Sequence, residues 1–177
     1  MPNFVFIATS LDGYIAKTDG SLDWLFEIPN PDVLDFGYND FINKIDAILM
    51  GRITFEKVLT FGSWPYNKPV FVISNSIKQI DKELKGKVEI VSGELKSILM
   101  KLNERGIKNI YIDGGKTITN FLKEDLIDEL IITRIPVLLG NGLPLFNKSN
   151  IELKFEHIKT DVYNNDLVQS HYKRNRD

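Results

Sequence analysis

Residues 107–122 pass from a β-rich run straight into a helical pattern through Gly114 and Gly115, so the fold must join strands directly to helices. Glycine has no Cβ, which lets a ligand approach the backbone closely, and the first N–H groups of the helix point toward it. The partial positive charge at a helix N-terminus suits a phosphate. Taken alone, the segment is equally compatible with a tight turn that binds nothing.

Composition narrows the class of protein. The 177 residues suit one domain, 1–177, and 43% hydrophobic with 26% charged residues is typical of a soluble globular chain. A net charge of −2 gives no electrostatic reason to expect nucleic acid or an anionic membrane as a partner. The absence of cysteine excludes disulfides, thiolate zinc sites and a cysteine nucleophile, and two histidines argue against a metal cluster. Without a signal peptide or a run of roughly 20 apolar residues, we expect a cytoplasmic protein.

Apolar periodicity predicts alternating strands and helices. The predicted strands cover 3–9, 46–50, 70–74, 88–92, 110–112 and 130–136, and a terminal hairpin covers 153–160 and 167–173. The predicted helices cover 32–45 with Asp32 as N-cap, 54–59, 95–105 and the run after Gly115. Residues 17–31 are predicted to be a functional loop in which Trp24 covers a substrate or anchors the loop, and 173–176 a frayed basic tail. This order predicts an α/β fold with a mainly parallel sheet and an antiparallel edge.

In such sheets ligands bind beyond the carboxyl ends of the strands. Four predicted ends carry glycine or small polar residues: Gly51-Arg52, Ser74-Asn75-Ser76, Ser92-Gly93 and Gly114-Gly115. Two of these ends repeat the order glycine, cation, hydroxyl, as Gly51-Arg52 with Thr54 and as Gly115-Lys116-Thr117. Together they favour a nucleotide groove in which the two turns clamp opposite parts of an extended ligand. The alternative for Arg52 is an ordinary surface cation.

Five segments resemble, in order and spacing, motifs of the dihydrofolate reductase superfamily: Ala8, Leu11-Asp12-Gly13-Tyr14-Ile15, Met50-Gly51-Arg52-x-Thr54, Ile112-Asp113-Gly114-Gly115 and Leu138-Leu139-Gly140-Asn141-Gly142. That superfamily includes the reductase domain of the bifunctional riboflavin-biosynthesis deaminase-reductase. The resemblance spans nearly the whole chain. It implies a three-layer α/β/α fold with a central sheet of about eight strands, NADPH bound across that sheet, and hydride transfer to a carbon–nitrogen double bond.

The resemblance also implies cofactor-binding roles for particular positions. The nicotinamide pocket would be lined by Ala8 and Ile15. The pyrophosphate and the 2′-phosphate side would be met by Gly51, Arg52 and Thr54. The adenosine end would be completed by Ser74, Asn75 and Ser76, with Ser92 and Gly93 nearby. The start of the later helix would hold the pyrophosphate through Gly114, Gly115, Lys116 and Thr117.

On the substrate side the resemblance singles out Asp35 and Thr133. In dihydrofolate reductases an acid at the first of these places binds the amidine edge of the pterin, and the threonine is its partner. A carboxylate there accepts paired N–H bonds and favours protonation of the substrate nitrogen. The alternative is that Asp35 merely occupies the first turn of a helix, where the dipole favours acids.

Two departures bear on the substrate. Residues 66–69 hold no arginine, although dihydrofolate reductases carry one there for the substrate carboxylate, and Asp113 resembles the acid that commonly precedes the glycine pair in the riboflavin-pathway reductase. We therefore lean to 5-amino-6-(5-phosphoribosylamino)uracil reductase-type activity on a pyrimidine. Dihydrofolate reductase acting on a pterin and a non-catalytic nucleotide-binding module are the alternatives. A homodimer through the apolar region 131–139 is a further expectation, with ordinary core packing as its alternative.

Overall fold

The computed structural model describes residues 1–28, 34–147, 151–164 and 166–176. Its strands are β1 Asn3–Thr9, β2 Tyr14–Ala16, β3 Ala47–Gly51, β4 Val70–Ile73, β5 Val88–Val91, β6 Ile110–Asp113, β7 Glu129–Arg134, β8 Leu143–Pro144, β9 Lys154–Tyr163 and β10 Leu167–Asn175. Its helices are α1 Asp23–Phe26, α2 Tyr38–Asn43, α3 Arg52–Leu59, α4 Leu95–Glu104 and α5 Gly115–Lys123, with a 3-10 turn at Lys82–Leu84. Within the described ranges no helix is long and apolar enough to cross a membrane.

Eight of the strands form one sheet in the order β5-β4-β3-β6-β1-β7-β10-β9. Neighbours from β5 to β7 pair in parallel, whereas β10 is antiparallel to both β7 and β9. The central strands are continuous apolar runs, as expected where both faces of a parallel sheet are covered. The predicted α/β fold, its mainly parallel eight-stranded sheet and its terminal hairpin are therefore confirmed.

Helices cover both faces of the sheet and give the predicted three layers. Successive residues of a strand point to opposite faces. In β3, Leu49 belongs to the core under α4 and α5, while Ile48 and Met50 belong to the core under α2 and α3. The carboxyl ends of the strands are left open between these two helical layers, and the candidate site lies there.

The first predicted helix is wrong in its extent. The prediction began at Asp32, which lies outside the described residues, whereas α2 covers only Tyr38–Asn43. Phe36 and Gly37 have φ angles of 53° and 80°. This left-handed pair does not occur inside a right-handed helix. Asp35 therefore precedes the helix.

The predicted loop at 17–31 is described as far as residue 28 and contains α1. Trp24 on this helix is 5% exposed and packs with Ile135 and Leu167. Trp24 thus anchors the segment, which is one of the two roles predicted for it.

A second sheet, which the sequence patterns did not predict, pairs β2 with β8 in antiparallel fashion. The N–H groups of Leu139 and Gly140 donate to the Asp12 carboxylate at 3.2 and 2.7 Å. A Cβ on Gly142 would overlap the carbonyl oxygen of Ala16. The glycine-containing segment 138–142 is thus held by contacts with the β1–β2 region.

The expected fraying of the basic tail is wrong for the residues described there. Nε of Arg174 donates to Asp125 at 2.6 Å, and Nη1 of Arg176 donates to Asp128 at 2.6 Å. The hydrogen bond from Arg174 holds the pKa of Asp125 below its usual range. The tail therefore ties β10 to the loop between α5 and β7.

Candidate functional site

The two predicted glycine turns lie side by side. β3 and β6 are adjacent parallel strands, and Met50 pairs with Asp113 at their carboxyl ends. α3 begins directly after Gly51, and α5 begins directly after Gly114. The turns are neighbours on one edge of the sheet, so they form a single wall. The prediction that they clamp opposite parts of a ligand is corrected accordingly.

Each turn packs its glycine against the threonine of the other turn. A Cβ on Gly51 would lie 2.8 Å from Oγ1 of Thr117, and a Cβ on Gly114 would overlap Oγ1 of Thr54. Gly114 also has a φ of 90°, which L side chains rarely adopt. Glycine at these positions brings the two helix starts together, and their free N–H groups add to one local positive potential.

A groove of about 400 Å³ opens at these helix starts. It contains predicted cofactor residues from three strand ends: Gly51, Arg52, Thr54, Ser74, Asn75, Ser76, Lys116 and Thr117. Ile53, Ile73, Leu95 and Asn120 complete its lining. The groove therefore combines two helix N-termini, two cations, four hydroxyl groups and an apolar patch.

The polar side chains of the groove are suited to an anionic ligand. Nη1 of Arg52 donates to both carboxylate oxygens of Glu56 at 2.8 and 2.9 Å, with both side chains about half exposed. Such exposed pairs contribute little to stability, so the guanidinium can turn to a phosphate at small cost. Oγ of Ser74 accepts hydrogen bonds from the N–H groups of Ser76 and Ile77 at 3.1 Å each, which fixes the turn after β4.

The other predicted cofactor residues lie around the groove. A Cβ on Gly115 would overlap Cδ1 of Ile15, so Ile15 covers the start of α5. Ala8 is partly buried in β1 and lies in register with Thr133 of β7. Residues 92–93 are exposed after the edge strand β5 and are not among the described residues that line the groove.

Asp35 is exposed, and its carboxylate is engaged by the backbone. Its oxygens accept hydrogen bonds from the N–H groups of Gly37 at 3.1 Å and Asn39 at 2.8 Å. The bonds from Asn39 and then Gly37 hold the pKa of Asp35 below its usual range. The carboxylate thus satisfies N–H groups at the start of α2, as an N-terminal cap does. A substrate-binding role for Asp35 stays a prediction.

Thr133 is buried and is joined to a glutamine that the sequence patterns did not single out. Nε2 of Gln169 donates to Oγ1 of Thr133 at 2.9 Å and to the carbonyl of Phe36 at 3.0 Å. Gln169 therefore connects β7 and β10 to the segment that carries Asp35. Among the described contacts the link from Thr133 to that segment runs through Gln169, and no direct bond to Asp35 occurs.

Asp113, which the sequence comparison of motifs singled out, lies beside the groove but is not among the described residues that line it. It ends β6 directly before Gly114, on the sheet face covered by α2 and α3. Its carboxyl accepts a hydrogen bond from the Tyr66 hydroxyl at 3.2 Å. Burial raises the pKa of Asp113 above its usual range, opposed by hydrogen bonds from Gly114 and Tyr66. In the sequence, Asp113 is recognisable as an acidic residue that directly precedes a glycine pair at the end of a predicted strand.

Comparisons with known proteins agree with this architecture. The model of the RibD C-terminal domain family matches residues 4–169. The uncharacterised protein YwjB of Bacillus subtilis is 41% identical over 174 residues, which is 96% of each chain.

Solved structures extend the likeness. A crystal structure from Shewanella sp. PV-4, of a protein named for riboflavin biosynthesis, is 50% identical with a TM-score of 0.96 and covers 99% of this chain and 100% of its own. Dihydrofolate reductase from Enterococcus faecalis, solved with NADP(H), shares the fold at 19% identity and a TM-score of 0.67, over 98% of this chain and 96% of that one. The chain therefore belongs to the RibD C-terminal domain family.

Proposed function

We propose that the protein is an NADPH-dependent reductase that delivers a hydride to a carbon–nitrogen double bond of a ribosylaminouracil or a pterin. The observation that carries the proposal is the groove at the ends of β3, β4 and β6, which unites eight residues with predicted cofactor-binding roles. Within its family, 5-amino-6-(5-phosphoribosylamino)uracil reductase-type activity is the first choice of reaction.

The groove suits the phosphate-bearing part of NADPH. The N–H groups at the starts of α3 and α5 would donate to the pyrophosphate. Arg52 would take the 2′-phosphate, for which its planar guanidinium offers paired donors. The hydroxyls of Ser74 and Ser76 would meet the adenosine end. When bound, NADPH supplies the hydride, and the chain supplies orientation and an electrostatic field.

Reduction of a carbon–nitrogen double bond also needs a proton. A hydride added to carbon leaves the electron pair of the broken π bond on nitrogen, and that nitrogen must take a proton from an acid. Asp113 is the candidate for this task because it ends β6 directly before the Gly114 turn and because burial raises the pKa of its carboxyl. Asp35 fits it poorly, since its carboxylate is held in the charged form by backbone N–H groups. After each turnover, water would return the proton to Asp113.

The full-length chain tests the proposal in two steps. NADPH should raise the midpoint of thermal unfolding, because a ligand at about 100 times its Kd stabilises the folded state by about 2.7 kcal/mol. NADPH absorbance is then followed with 5-amino-6-(5-phosphoribosylamino)uracil and, separately, with dihydrofolate. Loss of absorbance with one substrate names the reaction, and a chain that NADPH does not stabilise would refute the proposal.

The role predicted for Asp35 has its own test. Asp35→Asn keeps a side-chain oxygen that caps α2 but removes the charge. If Asp35 binds the substrate, the variant should lose turnover about 10-fold or more while its affinity for NADPH stays unchanged. Asp35→Ala removes both the cap and the charge and reports the structural part through its thermal midpoint. Full turnover by Asp35→Asn would leave Asp35 with the capping role alone.

A nucleotide-binding module without turnover is the second candidate. It is favoured by the partners of both predicted catalytic side chains, because Asp35 is bonded to the backbone and Thr133 to Gln169. NADPH-dependent stabilisation without consumption of NADPH in either substrate assay would select this candidate.

A further inference from the structure

Three phenols lie close enough to the Asp113 carboxyl to be affected by its charge, and each comes from a different element. Tyr66 lies in the segment between α3 and β4, Tyr111 lies in β6 itself, and Tyr38 lies in α2. Burial, followed by the charge of Asp113, raises the pKa of all three phenols. They are therefore neutral donors throughout the pH range in which a carboxyl titrates. Among the described residues, Tyr66 and Tyr111 are the titratable groups that shift the pKa of Asp113, and both lower it.

The hydroxyl of Tyr111 is shared with the backbone, whereas the hydroxyl of Tyr66 is directed at the carboxyl. The hydroxyl of Tyr111 donates to the carbonyl of Phe6 at 2.9 Å, and the ring of Tyr38 packs edge-on against the ring of Phe6 at 5.7 Å. The hydroxyl of Tyr66, in contrast, donates to Oδ2 of Asp113 at 3.2 Å. The contact links residues that are 47 positions apart in sequence.

The position of the Tyr66 hydroxyl is set by packing. The ring of Tyr66 contacts the ring of Trp64 edge-on at 5.4 Å between centroids, and Trp64 contacts Phe55 of α3 in the same way at 6.1 Å. Each edge-to-face contact of this kind is favourable by about 0.5–1.5 kcal/mol, which favours this placement of the Tyr66 ring. The hydroxyl is thus fixed relative to α3, and α3 starts in the candidate cofactor groove. The segment that carries Tyr66 therefore contacts both α3, which begins in the candidate cofactor groove, and the carboxyl of Asp113 at the end of β6.

We propose that Tyr66 is a positioning residue of the reductase site, whose hydroxyl holds the Asp113 carboxyl in one orientation toward the substrate. The inference rests on the proposed function, in which Asp113 supplies the proton. It assigns Tyr66 a task beyond filling the space above β4. A hydroxyl that donates a hydrogen bond to a carboxylate stabilises its charged form. Tyr66 therefore lowers the pKa of Asp113 and opposes the effect of burial.

The test removes the hydroxyl and keeps the ring. Tyr66→Phe preserves the packing on Trp64, and Tyr172→Phe on β10 is the matched control, since Tyr172 is partly buried and packs against His157 at 5.5 Å away from the site. Infrared difference spectra of each protein against its Asp113→Asn counterpart follow the carboxyl titration. The midpoint should move up by about one pH unit in Tyr66→Phe, the size expected for one lost hydrogen bond to a charged group, and should not move in Tyr172→Phe.

Turnover gives the second readout. In Tyr66→Phe the alkaline limb of kcat/KM should move in the same direction as the carboxyl midpoint, and kcat should fall because the acid is no longer held in one orientation. A site-specific 3-fluorotyrosine at position 66 is a stronger donor and should move the midpoint down, which keeps the proposal testable if Tyr66→Phe does not fold. An unmoved carboxyl midpoint in these variants overturns the role of Tyr66. An inactive wild-type protein overturns the proposed function instead, while the infrared titration still decides whether Tyr66 controls Asp113.

Discussion

At the scale of single residues, Gly114 joins two constraints that are separable by substitution. Its φ of 90° disfavours any side chain, and a Cβ there would overlap Thr54. Gly62 has a φ of 84°, and no atom lies within 4 Å of the place that a Cβ would take, so it carries the conformational constraint without the steric one. The pair therefore distinguishes backbone strain from close packing of the two turns.

We expect Gly114→Ala to lower the free energy of unfolding by about 2–4 kcal/mol, from backbone strain plus overpacking. Gly62→Ala should cost only about 1–2 kcal/mol, from strain alone. Denaturant unfolding of the two variants measures both values. Equal losses would mean that the contact between the glycine turns relaxes without cost.

Asp113 predicts a pH dependence of stability. Its pKa is raised in the folded state, so its contribution to stability is fully present below the unfolded pKa and is lost as pH rises through the folded pKa. Asp113→Asn has no carboxyl at this position, so its stability does not fall in that pH window. Its stability relative to wild type should therefore grow as pH rises through that window, by about 1.4 kcal/mol for every pH unit between the unfolded and the folded pKa. A constant difference between the two proteins from acid to neutral pH would contradict the raised pKa.

At the scale of elements, a partly buried ion pair joins the terminal hairpin to the loop before β7. Arg174 has a side chain 10% exposed, pairs with Asp125 at 2.6 Å and lies over the ring of Phe155 at 5.9 Å. Lys159 and Asp161 form a 2.7 Å pair on β9, but their side chains are 61% and 38% exposed. Asp125 is 37% exposed, much like Asp161, so the two pairs differ in the burial of their cations.

We expect Arg174→Ala to lower the free energy of unfolding by about 1–3 kcal/mol, because it removes the main hydrogen-bond donor to Asp125 and exposes the ring of Phe155. Lys159→Ala should cost less than about 1 kcal/mol, as exposed pairs do. Since the pKa of Asp125 is lowered, the contribution of its pair is present above the unfolded pKa and is lost as pH falls through the folded pKa. Chemical denaturation at neutral and acid pH measures these differences. Equal losses in the free energy of unfolding for the two variants would contradict the proposal that Arg174 stabilises the position of β10.

One of the four predicted helices was wrong in its extent for a local reason, whereas the other three matched the structure to within two residues. The strand runs matched the structure to within a few residues because their apolar continuity reflects burial on both faces. The predicted helix at 32–45 failed because apolar spacing does not report backbone handedness, and the positive φ angles of Phe36 and Gly37 restrict α2 to Tyr38–Asn43. The β2–β8 pairing was missed because its strands are only three and two residues long.

At the scale of the whole molecule, strand order creates the candidate cofactor site. β3, β4 and β6 are separated in sequence by helices and by β5, yet β3 lies between the other two in the sheet. Their carboxyl ends therefore meet, and a ligand that spans them contacts segments that are distant in the chain. Binding there should stabilise the whole fold.

Arg52 should decide the cofactor preference at this site. Arg52→Gln removes a guanidinium that can pair with a 2′-phosphate, so it should weaken NADPH about 10- to 100-fold and leave NADH unchanged. Glu56→Gln is the matched control, because it releases Arg52 from its exposed pair without removing the cation. Thermal-shift titrations with both nucleotides measure these affinities, and an equal loss for NADPH and NADH would place Arg52 outside the 2′-phosphate subsite.

The sequence by itself determined the order along the chain of the eight strands of the main sheet, the α/β class, and the residues at the strand ends, because these features depend on neighbours along the chain and on the period of apolar residues. It also pointed to Gly51 and Gly114 as turns of special geometry. Only the tertiary structure decided that the two turns share one wall, that Asp35 caps α2 and that Thr133 is bonded to Gln169. It likewise decided that the Tyr66 hydroxyl donates to Asp113. These features follow from strand order and from contacts between residues far apart in the chain, which local periodicity does not encode.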